Sequence, residues 1–334
     1  MDETIATPIP LTEKTMSAAP ANLPIVICGE SLLDVFQDGP TPTGLHLDAV
    51  VGGSPLNVAA GVQRMGQPAV FLGAISRDFL GERILKSVVD EGISTEAVVL
   101  NDAPTTLSLV GVDANGVPSY RFYGTGGSDR QLLPEHLARL PAGVAAIHLG
   151  SFGCVVEPIA STIRTLVEQR HTSTVISYDP NVRLNVEPSL AAWRDNIEWM
   201  ASRTHLLKLS DEDFERLYPE LNPADLAARW LAAGVSLVMM TRGGKGALAW
   251  TREGQCEVSA PKVQVQDTVG AGDTFQAATL VALAEIGRLS PAGLAAITLD
   301  EVRRVADFAA QAAAITCTRR GPDLPRRNEL RAVV

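Results

Sequence analysis

Short apolar runs rich in Val, Ile and Leu alternate along the chain with longer stretches whose apolar positions recur at helical spacing. The runs at Ile25–Cys28, Val70–Gly73, Val144–Leu149, Val175–Tyr178, His205–Leu209 and Val235–Thr241 are too short for helices, and their apolar content suits strands buried on both faces. Between them, Leu56–Met65, Leu80–Glu91, Ile159–Gln169, Leu190–Ser202 and Pro223–Ala233 read as helices. Gly66, Gly92 and Gly234 stand just past three of their ends, where C-caps favour glycine. This alternation predicts βαβ units around a mostly parallel sheet, an α/β fold.

Two stretches depart from the alternation. Residues 34–51 and 105–123 carry period-two patterns, such as Val110 with Val112 and Tyr120 with Phe122, and turn signals at Asp38-Gly39-Pro40 and Asn115-Gly116. Each predicts a strand pair in a small β-sheet apart from the main one. Hung from strand ends, such a sheet can close as a lid over the crevice where an α/β fold binds ligands; a plain β-excursion gives the same pattern. Residues 1–22 show neither period and are expected to be a mobile extension ahead of one domain over 23–334.

A chain of 334 residues, 46% hydrophobic, can bury a large core. Its net charge of −10 disfavours a nucleic-acid surface, which needs clustered Lys and Arg. The sequence has no uncharged apolar stretch of about 18 residues and no signal-peptide core, so a cytoplasmic protein without a membrane partner is expected. Cys28, Cys154, Cys256 and Cys317 lie far apart with no Cys-x-x-Cys, indicating neither a disulfide framework nor a zinc site. The five histidines show no ligand spacing and are assigned structural roles.

The most informative chemistry lies in Asp267-Thr268-Val269-Gly270-Ala271-Gly272-Asp273-Thr274-Phe275, which opens an apolar helix running from about Gly272 through Leu283. First-turn amides at a helix N-terminus have no intrahelical partners and attract anions, and glycines let the backbone approach them closely. A carboxylate there repels phosphate unless it has a task, such as taking a proton from an attacking hydroxyl. An ordinary acidic helix start is the bland alternative.

Other polar clusters stand where strands end. Asp34, after Gly29-Glu30-Ser31-Leu32-Leu33, can accept two hydroxyl protons from a polyol; taken singly it reads first as a solvated turn residue. Gly52-Gly53-Ser54-Pro55-Leu56-Asn57 opens a helix with Ser54 as candidate N-cap and Pro55 at N1, and Asn57 alone reads as a helix-surface residue. In Asp179-Pro180-Asn181-Val182-Arg183 the Arg fork suits phosphate or carboxylate, or else a structural ion pair. Ser210-Asp211-Glu212-Asp213 bunches carboxylates as a water-mediated magnesium site does, and equally as a capping run does. Thr241-Arg242-Gly243-Gly244-Lys245-Gly246 is a glycine-rich turn that a hairpin into Ala247–Trp250 also explains.

On these motifs, in this order and separation, the chain from about Leu23 to Pro325 resembles the ribokinase-like, or PfkB-type, carbohydrate kinases. The resemblance implies a three-layer α/β fold with a β-sheet lid, and it implies ATP and Mg²⁺ as cofactors, with K⁺ as the monovalent cation that members of the family often hold. Asp273 is then the base that activates a sugar hydroxyl, and the amides of Gly270, Ala271 and Gly272 form an anion hole. Asp34, Gly53, Asn57 and Arg130 fall to the sugar, and Arg183 neutralises phosphate at the substrate. Lys208 and Ser210 lie near the phosphate path, with Thr241, Gly243 and Gly246 contacting ATP. Asp267, Val269 and the stretch from Thr316 to Gly321 match a loop that holds a monovalent cation. Many members carry Asn-x-x-Glu where this chain has Ser210-Asp211-Glu212-Asp213, so the magnesium-linked role passes to the shorter Asp213. Lids of this family commonly pair, which implies a homodimer.

Tyr120-Arg121-Phe122-Tyr123, Ser128-Asp129-Arg130 and Asp179-Pro180-Asn181-Val182-Arg183 look like bacterial fructokinases, although those read Ala-Asp-Arg where this chain has Ser128. Fructose is the expected substrate, with 2-keto-3-deoxygluconate as the rival that Arg130 also suits. The 5% aromatic content disfavours a nucleoside pocket. From other classes, a catalytically silent sensor on the same fold is countered by the intact Asp273. A dehydrogenase is countered by the absence of an early Gly-x-Gly-x-x-Gly, and no P-loop is present.

Overall fold

The computed structural model describes residues 23–112 and 118–333; the N-terminal segment expected to be mobile and the Asn115-Gly116 turn lie outside them. The first half runs β1 (Ile25–Cys28), β2 (Leu32–Thr41), β3 (Gly44–Gly52), α1 (Ser54–Arg64), β4 (Ala69–Leu72), β5 (Ala74–Ser76), α2 (Phe79–Asp90), β6 (Val99–Asn101), β7 (Leu107–Val112) and β8 (Pro118–Tyr123). Then come β9 (Ala146–Gly150), α3 (Ile159–Arg170), β10 (Val175–Asp179), α4 (Leu190–Ala201), β11 (Leu206–Ser210), α5 (Asp211–Leu217), α6 (Pro223–Ala233) and β12 (Leu237–Thr241). The chain finishes with β13 (Ala247–Thr251), β14 (Gly254–Val258), α7 (Ala271–Glu285), α8 (Pro291–Ala295) and α9 (Leu299–Cys317).

Eight strands form the main sheet in the order β14-β13-β12-β11-β10-β9-β1-β4. The pairs from β4 to β12 are parallel, and β13 and β14 turn antiparallel at one edge. Alternation along β1 divides the core between two faces. Ile25 and Ile27 pack with α1, α7 and α9 through residues such as Val58, Leu280 and Val305, whereas Val26 and Cys28 pack with α3, α4 and α6 through Ile163, Trp193 and Trp230. Helices on both faces of a mostly parallel sheet make the three-layer, ribokinase-like α/β fold.

Helix α7 is wedged between the sheet, α1 and α9, and every residue from Asp273 to Leu283 is buried. That explains a helix apolar nearly all round, which lies in the interior rather than on a surface. The predicted strands and helices recur within about two residues at each end, the usual scatter of element boundaries.

The small sheet has the order β3-β2-β7-β8, with β2 and β7 parallel. Its register sets Asp34 beside Ser108 and Ser108 opposite Phe122, while Leu33, Val35, Leu107 and Leu109 turn into the core. The turn expected at Asp38-Gly39-Pro40 is instead a bulge. Gln37 pairs with Leu47 and Pro40 with Leu45, so Asp38 and Gly39 oppose His46 alone, and the chain reverses at residues 42–43. A bulge accommodates a proline that cannot donate to the ladder.

Candidate active site

Two helix N-termini meet at the C-terminal edge of the main sheet. Gly270 is the N-cap of α7 in the left-handed region (φ 78°), and a Cβ there would lie 2.8 Å from the Pro322 Cβ. Opposite it, Gly53 caps α1 at φ 107°, where a Cβ would lie 2.8 Å from the Glu30 carbonyl oxygen. Ser54, expected as the cap, is the first residue of α1 and makes no capping bond, because Gly53 holds the cap position. Its hydroxyl donates to Asp273 Oδ1 at 2.7 Å, and Asn57 Nδ2 donates to Asp273 Oδ2 at 2.8 Å.

The Asp273 carboxyl is therefore held by both oxygens. Burial raises its pKa above the usual aspartate value, with the nearby Asp179 adding to the rise and Ser54, Asn57 and Lys208 opposing it. Desolvation wins, leaving a carboxylate that takes a proton more readily than a solvated one. Lys208 Nζ sits 3.2 Å from where a Cβ of Gly272 would stand, so a fixed cation flanks the glycine turn.

Ends of adjacent strands supply the next groups. Lys208 on β11 forms a buried ion pair with Asp179 Oδ2 on β10 at 2.6 Å, while Asp179 Oδ1 is buried without a hydrogen-bond partner. Ser210 caps α5 by accepting from the Asp213 amide at 3.0 Å, so the capping reading of that run is realised. Burial and the nearby Asp179 push Asp213 up to about 6, against the pull of Arg183 and Lys208. Arg183 donates to the Val182 carbonyl at 3.1 Å and, among the described residues, makes no ion pair, so the structural ion-pair reading is not realised.

Apart from Asp179, which lies beneath them, these groups line one cleft of about 670 Å³. Of the residues singled out from sequence, it gathers Asp34, Gly53, Asn57 and Arg183, then Lys208, Ser210 and Asp213, and finally Val269, Gly270, Gly272 and Asp273. Phe36, Ser108 and Phe122 of the small sheet close its side. Burial raises the Asp34 carboxyl, with Ser108 and Arg183 moderating the rise.

The remaining residues stand elsewhere. Ala271 gives its N–H to the Thr268 carbonyl at 3.2 Å and does not line the cleft. Arg130 lies behind the wall, its guanidinium 5.7 Å from the ring centre of Phe152, which does line it. Thr241 pairs in register with Ser210, one strand away, and Gly243 and Gly246 form the tight turn from β12 to β13. Asp267 accepts from the Val269 amide at 3.1 Å and the Gly321 amide at 2.8 Å, fastening the loop before α7 to the one after α9. The Thr316 hydroxyl is buried against Thr274 Oγ1 at 2.8 Å.

Sequence reasoning passed over Glu30, Ser54 as a ligand of Asp273, and Ser151. Glu30 lines the cleft, is 2% exposed, and is pushed by burial up to about 8. A carboxylate two residues after a buried strand was the available signal.

Residues 25–328 match the pfkB family carbohydrate kinase model. The chain belongs to the PfkB family of carbohydrate kinases. This PfkB kinase is 30% identical to a fructokinase of Rhizobium leguminosarum bv. trifolii over 305 residues, 91% of each chain. It is also 30% identical to probable fructokinase-4 of Arabidopsis thaliana, over 93% of this chain and 96% of the plant protein. Its fold superposes on an ATP-bound fructokinase of Xylella fastidiosa with a TM-score of 0.83 at 24% identity, covering 92% and 97% of the two chains. For a Vibrio cholerae O395 fructokinase bound to fructose, ADP and calcium, the TM-score is 0.76 at 22% identity, with 90% and 94% covered.

Proposed function

We propose that this PfkB kinase transfers the γ-phosphoryl group of ATP to a hydroxyl of fructose, with Asp273 as the general base. The observation that carries the reading is the Asp273 carboxylate, fixed by Ser54 and Asn57 at the start of α7 beside the Gly270–Gly272 turn and Lys208. Relatives named fructokinase that match over 91% and 93% of the chain support the choice of sugar.

The sugar hydroxyl would meet Asp273 from the side of Asp34, Gly53 and Asn57. Oxygen attack on phosphorus releases a proton, which Asp273 takes as the new O–P bond forms and ADP leaves. Amides at the Gly270–Gly272 turn, with Lys208 and Arg183, would stabilise charge on the transferring group, and such preorganised donors act most strongly where water is excluded. Phe36 and Phe122 on the small sheet are placed to exclude it. Thr241, Gly243 and Gly246 would hold the nucleotide further along the strand ends. The Asp34 carboxyl at the sugar end, with the protonated Glu30 adding a further hydrogen-bonding group, favours an uncharged polyol over a sugar acid, and Arg130 would support that end from behind Phe152.

Among the described residues, no three His, Cys, Asp or Glu side chains gather to hold a metal. Magnesium, which keeps several waters and binds chiefly through phosphate oxygens, suits the buried Asp213 with the unpartnered Oδ1 of Asp179. Asp213 and Asp179 would hold it through its waters, and the chemistry it would supply there is neutralisation of phosphate charge. A monovalent cation would lie against the loop that Asp267 joins to Val269 and Gly321, near Thr316. The exposed Leu45 and Leu47 on β3 favour pairing of two lids in a homodimer.

The test is ADP release by the purified chain with a panel of hexoses, ketoses and sugar acids. Fructose-dependent release well above all others is expected; release only with a sugar acid would overturn the substrate, and release with none would overturn the kinase reading in favour of a sensor.

A further inference from the structure

Two residues below the Asp179–Lys208 ion pair, the same face of the main sheet carries a second polar layer. His148 on β9 and Ser177 on β10 are partners in register, at 1% and 0% exposure. Ser177 precedes Asp179 by two positions, so both side chains point to the α7 side of the sheet. Ser177 Oγ accepts from Gln276 Nε2 at 2.8 Å and lies 3.1 Å from His148 Nδ1. Gln276 is three residues after Asp273, on the same face of α7. Towards its N-terminal end the helix thus faces the sheet in two polar layers, Asp273 near Lys208 above and Gln276 on Ser177 below, with Thr279 reaching the Met239 sulfur further along.

Stability alone does not account for the lower layer. Its neighbours Phe275, Ala277 and Leu280 are fully apolar, and apolar side chains at 148, 177 and 276 would bury without need of partners. Instead Gln276 Oε1 is buried with no hydrogen-bond partner, an unfavourable arrangement that apolar packing would avoid. What hydrogen bonds add is direction. Apolar contact tolerates small slides and rotations of a helix, whereas a donor and acceptor at 2.8 Å fix both.

The proton order is consistent. Gln276 donates to Ser177, which leaves the Ser177 proton free for Nδ1 of a neutral His148 imidazole. Burial, with Lys208 nearby, holds His148 down to about 3. Across the helix, the Thr274–Thr316 contact ties α7 to α9. It does not engage the sheet that carries Lys208.

We propose that Gln276, Ser177 and His148 are positioning residues that set the rotation and height of α7 on the sheet, and through them the placement of the Asp273 carboxylate and the Gly270–Gly272 turn. The inference rests on the reading of Asp273 as the base.

Steady-state kinetics of the full chain with Gln276→Leu, Ser177→Ala and the double variant tests it, at a temperature well below each melting transition. Both singles should lower kcat about tenfold or more while the KM for sugar and ATP stays within about twofold, because a misplaced base loses the transition state and not the ground state. The double variant should be no slower than the slower single. Should Gln276→Leu fail to fold, Ser177→Ala carries the test by the same kcat-against-KM split. Singles with wild-type kcat, losses that fall equally on KM, or additive losses in the double would overturn the proposal. Asp273→Asn in the same assay separates the two readings: normal turnover there overturns the base assignment and this inference with it. Loss there, with normal turnover in Gln276→Leu and Ser177→Ala, overturns only the positioning role.

Discussion

Asn57 donates to Asp273 Oδ2 at 2.8 Å across 216 positions of sequence, joining the first turn of α1 to the first turn of α7. With Ser54 on the other oxygen, two helix starts from opposite ends of the chain hold one carboxylate. Both donors stabilise its ionised form, and burial opposes them.

That balance predicts the acid limb of the rate profile. A base works only when ionised, so kcat falls as pH drops through the raised pKa of Asp273, at a higher pH than for a solvated aspartate. Ser54→Ala removes a donor that lowers that pKa. The limb should move to higher pH in Ser54→Ala, by kcat measured from about pH 5 to 9; an unmoved limb would count against Asp273 as the titrating group.

Asp34 sits in register with Ser108 on the cleft side of the lid. Asp34→Ala should raise the sugar KM by about tenfold or more and leave the ATP KM near its starting value, as loss of a partly buried charged acceptor does. Equal increases in both would remove Asp34 from the sugar end.

Asp213 lines the cleft with its carboxyl pushed up to about 6, and the proposed magnesium-linked role falls to it. Asp213→Asn should raise the Mg²⁺ concentration for half-maximal rate by about tenfold or more, while Asp213→Glu should stay active. Titration of activity against Mg²⁺ at fixed ATP reads this directly, and an unchanged midpoint in Asp213→Asn would reject the assignment.

Glu30 offers a test by stability. Its carboxyl is protonated in the folded protein up to about pH 8 but ionises near 4.5 when unfolded. The folded state holds the extra proton, so this contribution is complete below about 4.5 and is lost as pH rises toward 8, at about 1.4 kcal/mol per pH unit. Glu30→Gln escapes that loss. Its melting temperature relative to wild type should climb between pH 5 and pH 8; a constant difference would mean that Glu30 is ionised in the fold.

Much of this was legible in the chain because parallel strands buried on both faces leave continuous apolar runs, as Ile25–Cys28 and Val175–Asp179 do. The glycines around Asp273 were legible too, since tight helix starts require them. Other features depend on tertiary neighbours that periodicity does not encode. Asp38-Gly39-Pro40 carries turn chemistry, yet pairing with β3 continues past it and makes a bulge. Ser54 has the composition of an N-cap, but Gly53 takes that position and frees the hydroxyl for a residue 219 positions away. Glu30 lies two residues after β1, and only the loop after β9, at Ser151 and Gly153, reveals its burial.

The central claim is that Asp273 takes the proton of the sugar hydroxyl. Its most direct test is kcat for fructose phosphorylation by Asp273→Asn, with ATP binding followed by calorimetry in the same preparation. Loss of turnover by about a hundredfold to ten-thousandfold with ATP affinity retained is the predicted result. Turnover near the wild-type rate would contradict it.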